Sequence, residues 1–291
     1  MSTFVQQLIN AASLGATYCI LAMGITLSLG LARLANFAHA AFGVLAAFIA
    51  WDLADSGWNI WVAIGVSCAL VSLLAVAVFS ALLGRTINRP LNGFIVSLGI
   101  LLIMQALMAE RWGIDTKVLP SLVTTSWEMG DLVVTGQRAV NFFVSMALTV
   151  GLLVILKFTS FGRSVRAVAE DSEASQIIGV NSRSIIRAAF VIGTGLAAVA
   201  GVLLAMVIPF GPYSGNSLLI KAFAVAIVGG LGNVVGAICA SFLLALVETM
   251  GAAYWQPEWV PAYSLAAIVI VLLVRPNGLF RSVGAADAGF S

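Results

Sequence analysis

The chain has 291 residues, 61% hydrophobic and 9% charged, with mean hydropathy +1.08 and formal net charge +2. A soluble chain is about 45–50% apolar and about 25% charged, so lipid is the solvent for most of this sequence. That excludes a cytosolic enzyme and a secreted disulfide scaffold, and the small net charge excludes a nucleic-acid binder.

A bilayer core about 30 Å thick takes roughly 20 helical residues per crossing. Met1 to Asn10 carries no Lys or Arg and no cleavage site follows its apolar run. It reads as the start of the first crossing and not as a removable signal. Crossings are predicted at about 5–31, 37–54, 60–83, 94–110, 140–157, 188–208 and 262–274. Between 218 and 254 a longer apolar stretch is broken by Gly229-Gly230-Leu231-Gly232-Asn233. Each glycine lowers helix propensity by roughly 1 kcal/mol, so the stretch divides into a short helix at about 218–229 and a spanning one at about 233–254. A backbone break at that depth faces protein or water rather than lipid. The predicted fold class is all-α, a polytopic membrane helix bundle with about 8–9 crossings in a single transmembrane domain over 1–291. Cys19, Cys68 and Cys239 lie in apolar stretches without metal-ligand spacing and read as small packing residues.

Charge sets the expected orientation. Arg33, Arg85, Arg89, Lys157, Arg163, Arg166, Arg183, Arg187, Arg275 and Arg281 fall at alternate connections. The other side has Arg111, Lys117 and Arg138 among seven carboxylates, including Asp115, Glu128, Asp131 and Glu258. The positive-inside rule places the first group, and the C-terminus, in the cytoplasm. Counting the broken stretch as two crossings puts the N-terminus outside. Counting it as one re-entrant unit conflicts with Arg33 or Arg275.

Two connections are long. The outer one, 113–138, is expected to form a small cap with a hairpin around Leu132-Val133-Val134. The inner one, 158–187, is the most polar stretch of the chain. Ala167 to Ile178 has the composition of a short helix, with Asp171 or Ser172 able to cap its start and Gly179 able to end it. Ile177 and Ile178 then need a surface to bury them. One reading is an interfacial helix with Arg163 and Arg166 on lipid phosphates. The other is a docking helix for a soluble subunit, and Glu170, Asp171 and Glu173, which anionic lipid repels, separate the two.

The segment GRSVRAVAEDSEASQIIGVN at 162–181 resembles the cytoplasmic loop of the LivH-like family, the permeases of branched-chain amino-acid ABC importers. So do LARLANFAHAAFGVL at 31–45, Arg89-Pro90, LPSL at 119–122, KAFAVAIVGGLGNVVGA at 221–237 and the ending LLVRPNGLF at 272–280. Each motif alone is short, but together they keep their order over nearly the whole chain. The resemblance implies a transport subunit and not an enzyme. It implies a bacterial inner-membrane location, a second related permease, two ATP-binding subunits on the cytoplasmic face and an extracytoplasmic substrate-binding protein. It also assigns Gly162, Arg163, Arg166, Ala167, Glu170, Asp171, Gly179 and Asn181 to an ATPase-coupling loop. No cofactor is expected in this chain. ATP and Mg belong on the partners, since no GxxxxGK[ST] phosphate loop is present and the only lysines are Lys117, Lys157 and Lys221.

Two polar breaks are candidates for the translocation pathway. The first is Asn36, Phe37 and His39; the second is Gly229, Gly230, Gly232 and Asn233. Leu34-Ala35-Asn36 parallels Leu231-Gly232-Asn233, and discontinuous helices often flank transport pathways. Against this, a lone His is commonly a satisfied structural residue, and Asn36 can hold freed backbone groups. The glycines also suit close helix packing. The family pattern has a Gly and an acidic residue after the His, where this chain has Ala40 and Ala41. Gly193, Ala197, Gly201 and Ala205 form a helix-contact stripe. Lys221 and Glu248 are the charges inside apolar segments, suited to an ion pair or snorkelling. An ATP-independent transporter or channel is the alternative. It calls for ionisable groups deep in the helices, which are nearly absent, and a membrane enzyme lacks any catalytic constellation.

Overall fold

The computed structural model describes residues 2–32, 36–87, 89–130, 132–230, 232–275 and 278–279. Arg33, Leu34, Ala35, Asp131, Leu231 and Arg281, used above, lie outside the described residues.

Helices dominate: α1 (Ser2–Ala32), α2 (His39–Asp55), α3 (Ile60–Ala81), α4 (Pro90–Trp112), α5 (Gly136–Phe158), α6 (Ser160–Glu170), α7 (Ser172–Ile177), α8 (Ser182–Ala205), α9 (Ser214–Gly229), α10 (Val234–Tyr254) and α11 (Val260–Val274). The strands β1 (Ser126–Met129) and β2 (Leu132–Thr135) pair antiparallel in a two-stranded hairpin, with Trp127 opposite Val134. Seven helices among the described residues are long and apolar enough to cross a membrane. The other two apolar helices, α2 and α9, are shorter, at 17 and 16 residues.

Every predicted crossing is a helix, with different ends. Helix α4 starts at Pro90 rather than 94, because proline fits the first helical turn, where no backbone N–H is needed. Helix α5 starts at Gly136, so the long connection ends before 138. Helix α8 starts at Ser182 because the Asn181 side chain accepts from the Ser184 N–H at 3.1 Å. The expected single helix from Ala167 to Ile178 is instead two. Asp171 is extended (φ −149°, ψ 108°), ending α6 and beginning α7.

The bundle has two distinguishable ends. At one, the hairpin meets the start of α1: Gln6 Nε2 donates to the Val133 carbonyl at 2.8 Å, and the Val133 N–H donates back to Gln6 Oε1 at 2.9 Å. At the other lie α6 and α7, the α1–α2 junction and the α9–α10 junction.

The core is built on small residues, which let backbones approach without a hydrophobic drive between helices. A Cβ at Gly201 would overlap the Gly43 carbonyl, and one at Gly193 would come within 2.9 Å of Gly24. The Gly193–Ala205 stripe is therefore the seam where α8 meets α1 and α2. Phe42, Phe79 and Phe190 fill the space beside it, with ring centroids 5.3–6.4 Å apart. Of the cysteines, Cys19 is buried as expected, whereas Cys239 is exposed on the bundle surface.

Candidate functional site

Helix α6 is fastened to the end of α5. The Thr159 side chain accepts from the Gly162 N–H at 3.2 Å. Gly162 lies against the Leu156 backbone so closely that a Cβ would collide with it. Arg166 Nη1 donates to the Leu156 carbonyl. Val165 and Val168 are buried, while Arg163, Arg166 and Glu170 face outward. Arg166 is thus committed to its own chain, whereas Arg163 is free to project.

Helix α7 is held as tightly for its length. Asp171 Oδ1 accepts from the N–H groups of Glu173 and Ala174 at 2.8 and 3.0 Å. Ser182 Oγ donates to the Ser172 carbonyl at 3.0 Å, tying α7 to the start of α8. After Ile178 the chain reverses at Gly179, whose φ of +89° is in the left-handed region. The Val180 N–H donates to Ser175 O at 2.9 Å and the Gly179 N–H to Gln176 O at 3.0 Å. These are the two bonds of a Schellman cap. This framework presents Ile177 and Ile178 with 86% and 76% of their surface exposed. Of the ten residues singled out here, Gly162, Asp171, Gly179 and Asn181 shape the platform. Arg163, Glu170, Ile177 and Ile178 form its outward face, Arg166 ties α6 to Leu156, and Ala167 is half-buried.

The end of α1 approaches the second break, while the first break climbs back along α1 towards Leu21 and Gly24. A Cβ built on Gly30, near the end of α1, would lie 3.3 Å from Gly232 Cα. Phe37 sits between Phe94 and Phe223, with centroid distances of 4.7 and 5.1 Å, and its N–H donates to Ser97 Oγ at 3.1 Å. Asn36 Oδ1 accepts from the Ala38 N–H at 3.1 Å, while Asn36 Nδ2 is buried without a hydrogen-bond partner. His39 is fully buried, with Nε2 3.0 Å from the Leu21 carbonyl. Ala40 and Ala41 are also fully buried. A Cβ on Gly215 would lie 3.4 Å from Ala41 Cα, so the start of α9 packs against the backbone of α2 here.

In the second break, Gly229 lies against the backbone of Gly236 and Ala237, and Gly230 and Gly232 have φ of +99° and +80°. Asn233 Oδ1 accepts from the Gly236 N–H at 2.9 Å, capping α10. The Leu279 N–H donates to the Val228 carbonyl at 2.8 Å, which lays the end of the described chain across this break.

Lys221 and Glu248 are an ion pair, Nζ to Oε2 at 2.9 Å, with side chains 13% and 2% exposed. Tyr18 OH donates to the same carboxylate at 2.8 Å and lies 2.6 Å from Lys221 Nζ; Ser264 Oγ donates to Glu248 Oε1. One charge at the bilayer centre costs about 2.5–3.5 kcal/mol on insertion scales. Here four side chains from α1, α9, α10 and α11 satisfy each other.

Two cavities lie at the hairpin end. One, ≈ 100 Å³, is bordered by Tyr18, Phe210, Ser214 and Lys221. The other, ≈ 270 Å³, lies among α1, α5, α8 and α10 and contains Arg138 and Asn141. Sequence reasoning missed this second cavity, although a signal existed. Asn10, Ser13 and Thr17 recur on one face of α1, and Gln137, Asn141, Ser145 and Thr149 are all buried on one face of α5. A membrane helix that turns its polar residues inward lines something other than lipid. Among the described residues no group of three metal-ligating side chains gathers.

Among the described residues, nine apolar helices around small-residue seams, with a charged pair satisfied in the interior, make a multi-pass membrane protein. The model for "branched-chain amino acid transport system / permease component" matches residues 7–274, and the chain belongs to that family. It is 31% identical to the high-affinity branched-chain amino acid transport system permease protein LivH of Escherichia coli K12, over 95% of each chain. It is 30% identical to the corresponding protein BraD of Pseudomonas aeruginosa, again over 95% of each. A more distant relative is the autoinducer 2 import system permease protein LsrC of Yersinia pseudotuberculosis. It is 27% identical over 59% of this chain and 46% of that protein.

Proposed function

We propose that this chain forms the translocation pathway of an ATP-driven importer in a bacterial inner membrane, carrying branched-chain or similar aliphatic amino acids. It pairs with a second related permease and receives substrate from an extracytoplasmic binding protein. Two ATP-binding subunits hold ATP and Mg and dock on α6 and α7. The whole chain acts as one transmembrane domain. The α6–α7 end and the C-terminus face the cytoplasm, and the hairpin end faces outward with Asp115, Glu128 and Glu258 exposed. Family membership and the substrates named for LivH and BraD support the transport reading.

The observation that carries the docking assignment is the pair Ile177 and Ile178, held out on a capped platform. Burial of each is worth about 1.5–3 kcal/mol, and neither is buried within the chain. Asn36, Phe37, His39, Gly229, Gly230, Gly232 and Asn233 then flank the pathway, which the close Gly30–Gly232 and Gly229–Gly236 contacts narrow towards its cytoplasmic end. Motion of the platform reaches it through α5 and α8.

The test is the double change Ile177→Asp with Ile178→Asp. Both side chains are exposed, so the permease should insert and melt as wild type. Co-purified ATPase subunits and amino-acid uptake in vesicles should both collapse. Uptake at the wild-type level would show that docking lies elsewhere. Lost insertion with subunits still bound would favour a lipid contact.

A further inference from the structure

The mechanism proposed above gives no role to Arg138, yet three features of this residue go unexplained by stability. It sits in the first turn of α5, where the helix dipole disfavours a cation. Among the described residues no carboxylate lies within ion-pair distance of it. It borders the ≈ 270 Å³ cavity, in which it is the cationic side chain.

The polar neighbours have already spent their donors. Ser13 Oγ donates to the Arg138 carbonyl at 2.9 Å, Thr17 Oγ1 to Ser13 O at 3.0 Å, and Asn141 Nδ2 to Leu203 O at 2.9 Å. What the cavity still offers is the Gln7 amide and the guanidinium fork, and the fork matches a carboxylate through two parallel hydrogen bonds. Leu204 and Ile208 give an aliphatic wall at the C-terminal end of α8, whose dipole favours a cation. The space holds about nine water-sized volumes at roughly 30 Å³ each, comparable with the non-hydrogen atoms of leucine or isoleucine. Below Asn141, the line on the inward face of α5 continues with Ser145, whose buried hydroxyl has no partner, and Thr149.

From this we infer that the Arg138 cavity is an entry station for an aliphatic α-amino acid. The guanidinium takes the carboxylate, the end of α8 receives the ammonium, and Leu204 and Ile208 receive the side chain. The Ser145–Thr149 face of α5 leads inward from it. This site rests on the import reading above.

The experiment uses the complete importer, with its partner subunits. Uptake of L-leucine is measured in proteoliposomes, and equilibrium binding of L-leucine and L-leucinamide is measured in nanodiscs without the binding protein. Loss of a charge-assisted pair should lower Arg138→Gln uptake by roughly tenfold or more, with Arg138→Lys intermediate. Because the Arg138 side chain has no ion-pair partner among the described residues, Arg138→Gln should melt no lower than wild type and should retain its ATPases. Wild type should bind leucine at least roughly tenfold tighter than leucinamide, which lacks the carboxylate. Arg138→Gln uptake within twofold of a competent wild type would overturn the site and leave the import reading standing. Equal binding of leucine and leucinamide by wild type would do the same, and this arm needs no variant to fold. Wild-type vesicles that take up no aliphatic amino acid would instead overturn the import reading.

Discussion

The two ends of the bundle are both places where helices stop, and they are built from opposite materials. At the hairpin end, polar and charged side chains stand between α1, α5, α8 and α10 and keep a cavity of ≈ 270 Å³ open. At the α6–α7 end, glycine meets glycine: Gly30 against Gly232, and Gly229 against Gly236. The Phe37 ring and the Leu279–Val228 hydrogen bond complete the closure. The same end also carries a cavity of ≈ 220 Å³ bordered by Phe79, Asn181, Arg183 and Arg187, so the close packing is confined to the glycine contacts. Asn36 and His39 are polar too, but Asn36 Oδ1 and His39 Nε2 face backbone groups of Ala38 and Leu21.

The largest expected effect comes from the ion pair of the open half, Lys221 with Glu248, whose charges are tolerated there because each partners the other. Glu248→Ala leaves Lys221 buried without its counter-charge, which costs about 3–5 kcal/mol. Replacing both at once, Lys221→Met with Glu248→Leu, should recover most of that loss, since desolvation of both charges disappears together. Thermal unfolding of the four members of this double-mutant cycle in detergent checks it. A Glu248→Ala protein as stable as wild type would mean that the ion pair contributes nothing in place. The closed half should respond to volume instead. Gly229→Leu drives a side chain into the Gly236–Ala237 backbone and should destabilise by about 1–3 kcal/mol, the range for overpacking. Hydrogen exchange localised to the α9–α10 junction would place that damage. Exchange unchanged there would break the contrast between the two ends.

Much of this architecture was legible in the sequence, for physical reasons that can be named. The crossings show because lipid demands long apolar helices. The break at Gly229 to Gly232 shows because glycine clusters fail as helix. Lys221 and Glu248 were recognisable as partners because few other charges share their depth. What stayed hidden depended on which face of a helix turns inward. Gln137, Asn141, Ser145 and Thr149 recur every four residues, but without knowing which face of α5 is buried they read as ordinary variation in an apolar run. Arg138 was counted only as an outer-side charge for the same reason. The division of α6 from α7 escaped because Asp171 suits a helix start equally well whether or not another helix ends immediately before it.

The smallest effect on stability should accompany one of the larger effects on transport, and it lies at Gly179. Its φ of +89° closes the Schellman cap of α7, yet a Cβ there meets nothing within 4 Å. The penalty for Gly179→Ala is therefore conformational alone, about 1–2 kcal/mol, with no steric component. In the permease as a whole that shift is small, because α6 and α8 hold the flanking chain independently through Arg166–Leu156 and Ser182–Ser172. Locally it is large, because the Val180–Ser175 and Gly179–Gln176 bonds are what aim Ile177 and Ile178 outward. Under the docking reading, Gly179→Ala should leave the melting temperature nearly unchanged and reduce both ATPase retention and uptake. Gly179→Asn, which tolerates the left-handed region better than Ala, should recover part of each. A purely steric role for the glycine predicts the reverse order, since Asn is the larger side chain. Uptake that ranks Gly, Asn, Ala would show that the turn's backbone angle is what aligns α7 with its partner. Uptake indifferent to all three would detach the platform from coupling.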